Sequence, residues 1–230
     1  AKRIAAACEK KQAVVSSLKR ETKTVNPPKL YDLTTLQREA NRYYGFTAQQ
    51  TLDLVQTLYE KKLLTYPRTD SQFITDDMED TARQVISIVC RQFPLFSGVL
   101  VTPDIARVTD NSNVTDHHAI LPTVQLEKQD VSALPQSEQK ILNLVGMRLL
   151  CATGEKHTYA ETQISLSCES YTFKTKGKTV VQNGWKAIEE LFKASLKTKE
   201  KDDPMKSLPE VHEGDVLDGV SASVTEHFTT

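Results

Sequence analysis

The sequence predicts an α+β fold: a helical domain, residues 30–156, inserted into a β-rich domain made of residues 1–29 and 157–230. Three observations carry this. Helical periodicity with capping residues runs from Thr34 to about Gly154. From Thr158 the pattern turns to β-branched alternation, TYAETQISLSCESYTFKTKGKTVV. Between an amino-terminal extended segment and the first capped helix, Asn26-Pro27-Pro28 breaks the chain.

Taken in order, residues 2–11 read as a helix with Ile4, Ala7 and Cys8 on one face, and residues 12–24, rich in Val, Ser and Thr, as a strand. Thr34-x-x-Gln37 is a capping box for a helix ending at Tyr44, with Gly45 placed for a left-handed C-cap. Thr47-x-x-Gln50 opens a second helix with Leu52, Val55, Leu58 and Tyr59 as its apolar stripe. Two capped helices joined by a Gly-Phe turn form a helix-turn-helix-like unit. A strand over residues 63–66 follows at once. Asp76-x-x-Glu79 opens a third helix to about Arg91, and residues 93–114 are mostly loop. Ser137 caps a fourth helix, with Ile141, Leu142, Val145 and Leu149 inward. Lys176-Gly177-Lys178 is the predicted hairpin turn of the β segment. Residues 185–196 are a short helical patch, residues 197–206 a charged loop, and residues 216–228 alternate again.

Composition bounds the function classes. At 39% hydrophobic and 26% charged, the chain is of ordinary globular type. No apolar run reaches membrane-span length and nothing resembles a signal peptide, so no membrane partner is expected and the cytoplasm is the expected compartment. Cys8, Cys90, Cys151 and Cys168 form no CxxC pair, which points to reduced thiols and not to zinc. The net charge is -1, but it is unevenly spread. Residues 1–29 carry eight Lys/Arg against Glu9 and Glu21, a net +6, and residues 30–156 are net -4. The basic segment suits either a nucleic-acid path or a solvated face.

The chemistry concentrates in LTYPRTDSQFI, Leu64–Ile74. On a strand, Tyr66 and Arg68 project to one side. Pro67 fixes its own backbone and favours an extended Tyr66. A deprotonated phenol attacks phosphorus or carbonyl centres, and a guanidinium grips two phosphate oxygens at once. Taken alone, the same tripeptide also suits a strand aromatic beside a surface arginine. His117 and His118 form a second polar cluster. Asp76, Asp77, Glu79 and Asp80 look like a metal site, but acids at a helix start are favoured by the helix dipole, and that is the reading taken.

LTYPRTDS resembles the active-site segment of type IA DNA topoisomerases. The similarity extends upstream through PPKLYDLTTLQREANRYYGFTAQQTLDLVQTLYEKKLLTYPRTDS (residues 27–71) and downstream to DHHAILPT (residues 116–123). It runs on more weakly through NGWKAI and VTEHFTT. PRTDS and the paired histidines are more similar to topoisomerase III than to topoisomerase I. The resemblance implies a β-rich arch carrying the helical domain, and the cleavage of one DNA strand through a 5′-phosphotyrosyl link, with strand passage and resealing without ATP. It makes Tyr66 the nucleophile, Arg68 the stabiliser of phosphorane charge and His117 a contact to the scissile phosphate. Gln56 and Glu60, four apart on one helix face, match positions near the tyrosine in relatives. Asp70 is expected to orient Arg68 or to accept backbone hydrogen bonds.

The resemblance also implies Mg2+ bound by an acidic amino-terminal domain, together with a lysine acting as general acid. On this reading the chain is a central piece lacking that domain and any zinc modules, with no metal of its own and little cleavage activity alone. Its partners would be single-stranded DNA and the other domains of the same chain, in a bacterial nucleoid-associated setting. The rival readings are a non-catalytic winged-helix-like DNA-binding module and an interaction scaffold.

Overall fold

In the computed structural model, which describes residues 1–99, 101–196 and 208–226, the chain passes from one folded unit to another at the Asn26-Pro27-Pro28 break. The first unit comprises Ala1–Thr24, Thr158–Gln182 and residues 208–226; the second comprises Val25–His157 and residues 183–196.

In the first unit, helix α1 (Lys2–Cys8) leads into strand β1 (Ala13–Val25). Strands β2 (His157–Cys168) and β3 (Tyr171–Gln182) form a long antiparallel hairpin. Strand β4 (Val216–Leu217) pairs with Ala13 and Val14, giving the sheet order β3-β2-β1-β4. The hairpin turn is not at Lys176-Gly177-Lys178. It lies at Glu169-Ser170, beyond the Cys168↔Tyr171 pair, with Glu169 itself in the left-handed region at φ 52°. Gly177 sits mid-strand opposite Thr162. Composition pointed to the glycine, but the register is set by two strands of equal length, 12 residues each, folding about their midpoint. A small core of Cys8, Ala13 and Cys168 closes this unit. The alternation expected over residues 216–228 is strand only at Val216–Leu217; Lys197–Lys206 and residues 227–230 lie outside the described residues.

The second unit is helical. It contains α2 (Leu33–Tyr44), α3 (Ala48–Glu60), α4 (Glu79–Gln92), α5 (Gln136–Ala152) and α6 (Lys186–Ser195), with short 3-10 turns between α4 and α5. No helix among the described residues is long and apolar enough to cross a membrane. The caps fix where the helices start. Thr47 and Gln50 form the predicted capping box of α3, and Gly45 ends α2 at φ 70°. Helix α2 starts one residue before the predicted Thr34 cap. Asp32 is its N-cap, its carboxylate accepting from the Thr35 N–H at 2.6 Å, because a carboxylate outcompetes a hydroxyl for the same amides. Ser137 likewise is not a cap: α5 begins at Gln136 behind Pro135. Asp76–Met78 is a 3-10 turn that feeds α4, which places Glu79 and Asp80 in the helix's first turn.

Helix α5 is the hub. Ile141, Leu142, Leu144, Val145, Met147, Leu149 and Leu150 are all buried, so it packs on several sides. Gly146 is the point of closest approach to α4. A Cβ there would lie 2.6 Å from Phe93 Cε2 and 3.2 Å from Val89 Cγ1. Phe93 is fully buried, so neither side can give way without repacking. Gly146→Ala is therefore expected to destabilise the unit by about 1–3 kcal/mol although alanine favours helix; chemical denaturation would show this as a lower midpoint at unchanged slope.

Candidate functional site

The LTYPRTDS segment leaves helix α3 through a Schellman turn. The Leu63 N–H donates to Leu58 O at 2.8 Å and the Lys62 N–H to Tyr59 O at 2.8 Å. Lys62 holds the left-handed position usually taken by glycine, at φ 61°, and buried Leu63 and Leu58 supply the accompanying apolar contact. The turn delivers the next residues to a fixed place beside the helix end.

From there the segment is held against residues 113–123, but not as a strand. The predicted strand over residues 63–66 is reduced to one isolated bridge, Leu64↔Pro122. Side-chain hydroxyls take over the work of a ladder. Thr65 Oγ1 accepts from the Leu121 N–H at 2.9 Å and donates to Ala119 O at 3.1 Å, while the Thr65 N–H donates to Leu121 O. Thr69 Oγ1 donates to His117 O at 2.9 Å and accepts from the Ser71 N–H. Ser71 Oγ donates to Asn113 O at 2.7 Å. Pro67 and Pro122 each lack the N–H that a regular ladder needs. The two motifs separated by about fifty residues in sequence are thus bonded to each other through the Thr65 and Thr69 hydroxyls, and Ser71 ties the first to Asn113 just before the second.

This clamp assembles an aromatic cluster. The Tyr66 ring lies 4.2 Å from the His117 ring, centroid to centroid, tilted by 39°. Tyr59, from the last turn of α3, meets Tyr66 edge-on at 5.5 Å. Tyr66 is half-buried, whereas Arg68 and His117 are exposed. No hydrogen bond or ion pair engages Arg68 among the described residues, so its guanidinium stands open to solvent two residues from the phenol.

A buried polar network supports the cluster from behind. Tyr31, fully buried, bridges backbone-to-backbone with Ile120, three residues after His117, and Leu33 N–H donates to Thr69 O. The Tyr31 hydroxyl donates to Glu39, Arg148 pairs with Glu39, and the guanidinium also lies over the Tyr31 ring at 4.3 Å. Burial pushes the Tyr31 phenol well above its ordinary range, so it remains a donor. Burial opposes the charge on Arg148, but Tyr31 and Glu39 beside it more than compensate and raise its pKa. The pair is only 14% and 26% exposed, so removing one partner strands the other. Glu39→Ala is expected to cost about 3 kcal/mol of stability. A loss below about 1 kcal/mol in urea unfolding would instead mark the pair as solvent-screened.

The structure brings the Tyr66 and His117 rings together, and Arg68, two residues after Tyr66, is exposed. Gln56 and Glu60 do share a face of α3, joined to each other by a 2.9 Å hydrogen bond; among the described residues no hydrogen bond or ion pair joins either to Tyr66, Arg68 or His117. Asp70 is exposed and, among the described residues, neither pairs with Arg68 nor accepts a backbone hydrogen bond; Thr69 and Ser71 do the local bonding. His118 is half-buried, its Nδ1 2.8 Å from Ala119 O. Tyr59 was read as part of an apolar stripe and is instead a neighbour of Tyr66. The available signal is its place at the edge of that stripe, one residue from the helix end, with the chain doubling back. Among the described residues no three His, Cys, Asp or Glu side chains converge on a metal position. Asp76 is engaged locally, its Oδ1 accepting from the Asp77 N–H.

A phenol on a rigid segment in ring contact with an imidazole, with an open guanidinium two residues along the chain, suits attack on a phosphate: nucleophile, charge stabiliser and a polar contact. Residues 1–230 match a family model described as DNA topoisomerase. The chain is 37% identical over 212 residues to DNA topoisomerase 3 of Bacillus subtilis, an alignment covering 90% of this chain and 29% of that protein. It is 35% identical to DNA topoisomerase 3 of Bacillus licheniformis, covering 98% of this chain and 31% of that one. The fold is similar to full-length topoisomerase I from Thermotoga maritima, with a TM-score of 0.69 at 23% identity over 97% of this chain and 35% of that one. The chain therefore spans under a third of the length of these curated relatives.

Proposed function

The chain belongs to the type IA DNA topoisomerase family, and we propose that Tyr66 is the nucleophile of a reversible single-strand DNA cleavage. The Tyr66 oxygen attacks a backbone phosphorus. A phosphorus–tyrosine bond forms, the bond to the 3′-oxygen breaks, and the phenol's proton ends on that leaving oxygen. The 5′-phosphotyrosyl link conserves the bond energy, so the freed 3′-hydroxyl reseals the strand by the reverse step after another strand has passed, without ATP. The observation that carries this reading is the Tyr66–His117 ring contact at 4.2 Å beside an unengaged Arg68.

Each residue's role follows from its chemistry. A free phenol has a pKa of about 10 and is a weak nucleophile at neutral pH, so stabilising the charge that develops on the phosphate matters most. Arg68 supplies that as a bidentate cation. His117 contacts the scissile phosphate, held by the Thr69 bond to its carbonyl. Gln56, Glu60 and Asp70 are assigned to the surrounding strand path. The α2–α3 pair serves as a helix-turn-helix-like unit within the helical domain drawn from the sequence at residues 30–156; α6, which that boundary leaves in the β segment 157–230, packs in the helical unit instead. The described residues do not fit a magnesium site of their own. The Mg2+ that the family implies is assigned to another domain of the parent protein, and no step here is routed through it. Single-stranded DNA and those other domains are the proposed partners, in the bacterial cytoplasm at the nucleoid.

The test uses the full-length parent with a labelled single-stranded oligonucleotide and magnesium. After denaturation, mass spectrometry maps any DNA-linked peptide. An adduct on Tyr66 is the expected result. Strand binding without any adduct would sink the catalytic reading.

A further inference from the structure

The three long strands of the sheet carry six Lys/Arg side chains: Lys19, Arg20 and Lys23 on β1, none on β2, and Lys174, Lys176 and Lys178 on β3. Five of the six share one face. Alternate strand residues project to the same side. The register pairs Ser165 with Lys174, Gln163 with Lys176 and Glu161 with Lys178, so these six lie together. Lys23 Nζ reaches Glu161 Oε1 at 2.6 Å, which brings Lys23, and with it Glu21 and Lys19, to that same face. Arg20 falls on the opposite face, grouped with Thr162, Gly177 and Thr179.

Among the described residues of the three long strands, the face holds two carboxylates, and both are already paired: Glu21 with Lys19 and Glu161 with Lys23. The β3 lysines are the unneutralised part. Lys174 and Lys176 are exposed and form no ion pair among the described residues, and Lys178 lies over the Tyr159 ring at 4.8 Å. Their arrangement is a row. Successive cations two residues apart on a strand stand roughly 6.8 Å apart. A compact anion calls for converging cations, whereas an evenly spaced row suits an extended polyanion with one charge per step. Tyr159 is the one aromatic ring on this stretch of β2, and its ring is covered by Lys178, which leaves no platform for base stacking.

We propose that this sheet face is a second contact surface for a single nucleic-acid strand, gripping its phosphates without reading its bases. The identity of the polyanion rests on the proposed function; the row itself does not. In the test, the triple variant Lys174→Ala/Lys176→Ala/Lys178→Ala is made in the full-length parent carrying Tyr66→Phe, so that covalent chemistry plays no part. Fluorescence anisotropy with oligo-dT and oligo-dA is followed across a salt series. The dependence of log K on log salt should become shallower by about 2, at about 0.7 per lost phosphate contact, equally for both sequences. The triple Lys→Arg variant should keep the parental slope. Parental affinity and slope in the alanine variant overturn the proposal, as does a loss confined to one sequence or one shared by the arginine variant. Unchanged DNA binding with lost binding of poly-glutamate would reassign the face to an acidic protein and also overturn it. The same loss of slope, if the parent with Tyr66 intact forms no tyrosyl adduct, would remove the proposed function and leave the row standing.

Discussion

Tyr66→Phe in the full-length parent should abolish the covalent DNA adduct and leave the fold intact. The substitution removes one oxygen. The ring remains, and with it the edge-on contact with Tyr59 and the tilted contact with His117. Among the described residues no hydrogen bond uses the Tyr66 hydroxyl, so its loss strands no buried partner. Stability should stay within about 0.5 kcal/mol of the parent. Cleavage should fall by about 10⁴-fold or more, the scale on which removal of an enzyme's nucleophile is felt. Affinity for a single strand, which depends on phosphate contacts, should be nearly unchanged. Adduct yield, melting temperature and strand affinity, measured on the same preparation, separate these effects. An adduct that persists in the Phe variant would move the nucleophile elsewhere. Tyr59 is then the first candidate, since it is exposed, aromatic and 5.5 Å from the Tyr66 ring, and peptide mapping would identify it.

Which parts of this arrangement were legible in sequence follows from the range of the forces that build it. The Thr47/Gln50 capping box and the Gly45 C-cap are local: the residues that make the bonds are within four positions of each other, so their spacing reveals them. The start of α2 was misplaced because two good caps, Asp32 and Thr34, compete within three residues, and charge decides between them. The hairpin turn was misplaced for a different reason. Glu169 adopts a left-handed conformation that its side chain does not advertise, while Gly177 advertises one that it does not use. The stretch from Leu63 to Tyr66, expected as a strand, forms only the Leu64↔Pro122 bridge. The hydroxyls of Thr65, Thr69 and Ser71, though, bond to carbonyls 42 to 54 residues away. No window along the chain reveals such pairings. Tyr66, Arg68 and His117 were legible as chemistry. The Tyr31–Glu39–Arg148 support was not, because its members lie up to 117 residues apart and none carries a motif.

Arg68→Ala should lower the rate of strand cleavage by about a hundredfold or more, with little change in fold or in strand affinity. Arg68 is exposed and bonded to none of the described residues, so nothing in the fold depends on it. Its neighbours are fixed: Pro67 is buried, and Thr69 is clamped to His117 O. The backbone thus aims a free guanidinium without spending that group on structure, as expected of a cation reserved for a ligand's charge. If its contact strengthens only as negative charge builds on the phosphorane, kcat falls and binding stays. Arg68→Lys sharpens the argument. Lysine keeps the charge but loses the planar fork, so it should restore only part of the rate. Single-turnover cleavage on saturating oligonucleotide reads this directly. Equal losses of affinity and rate in the Ala variant, fully recovered by Lys, would make Arg68 an anchor for the strand through simple charge. The stabilisation of the transition state would then have to come from His117 or from a group outside these residues.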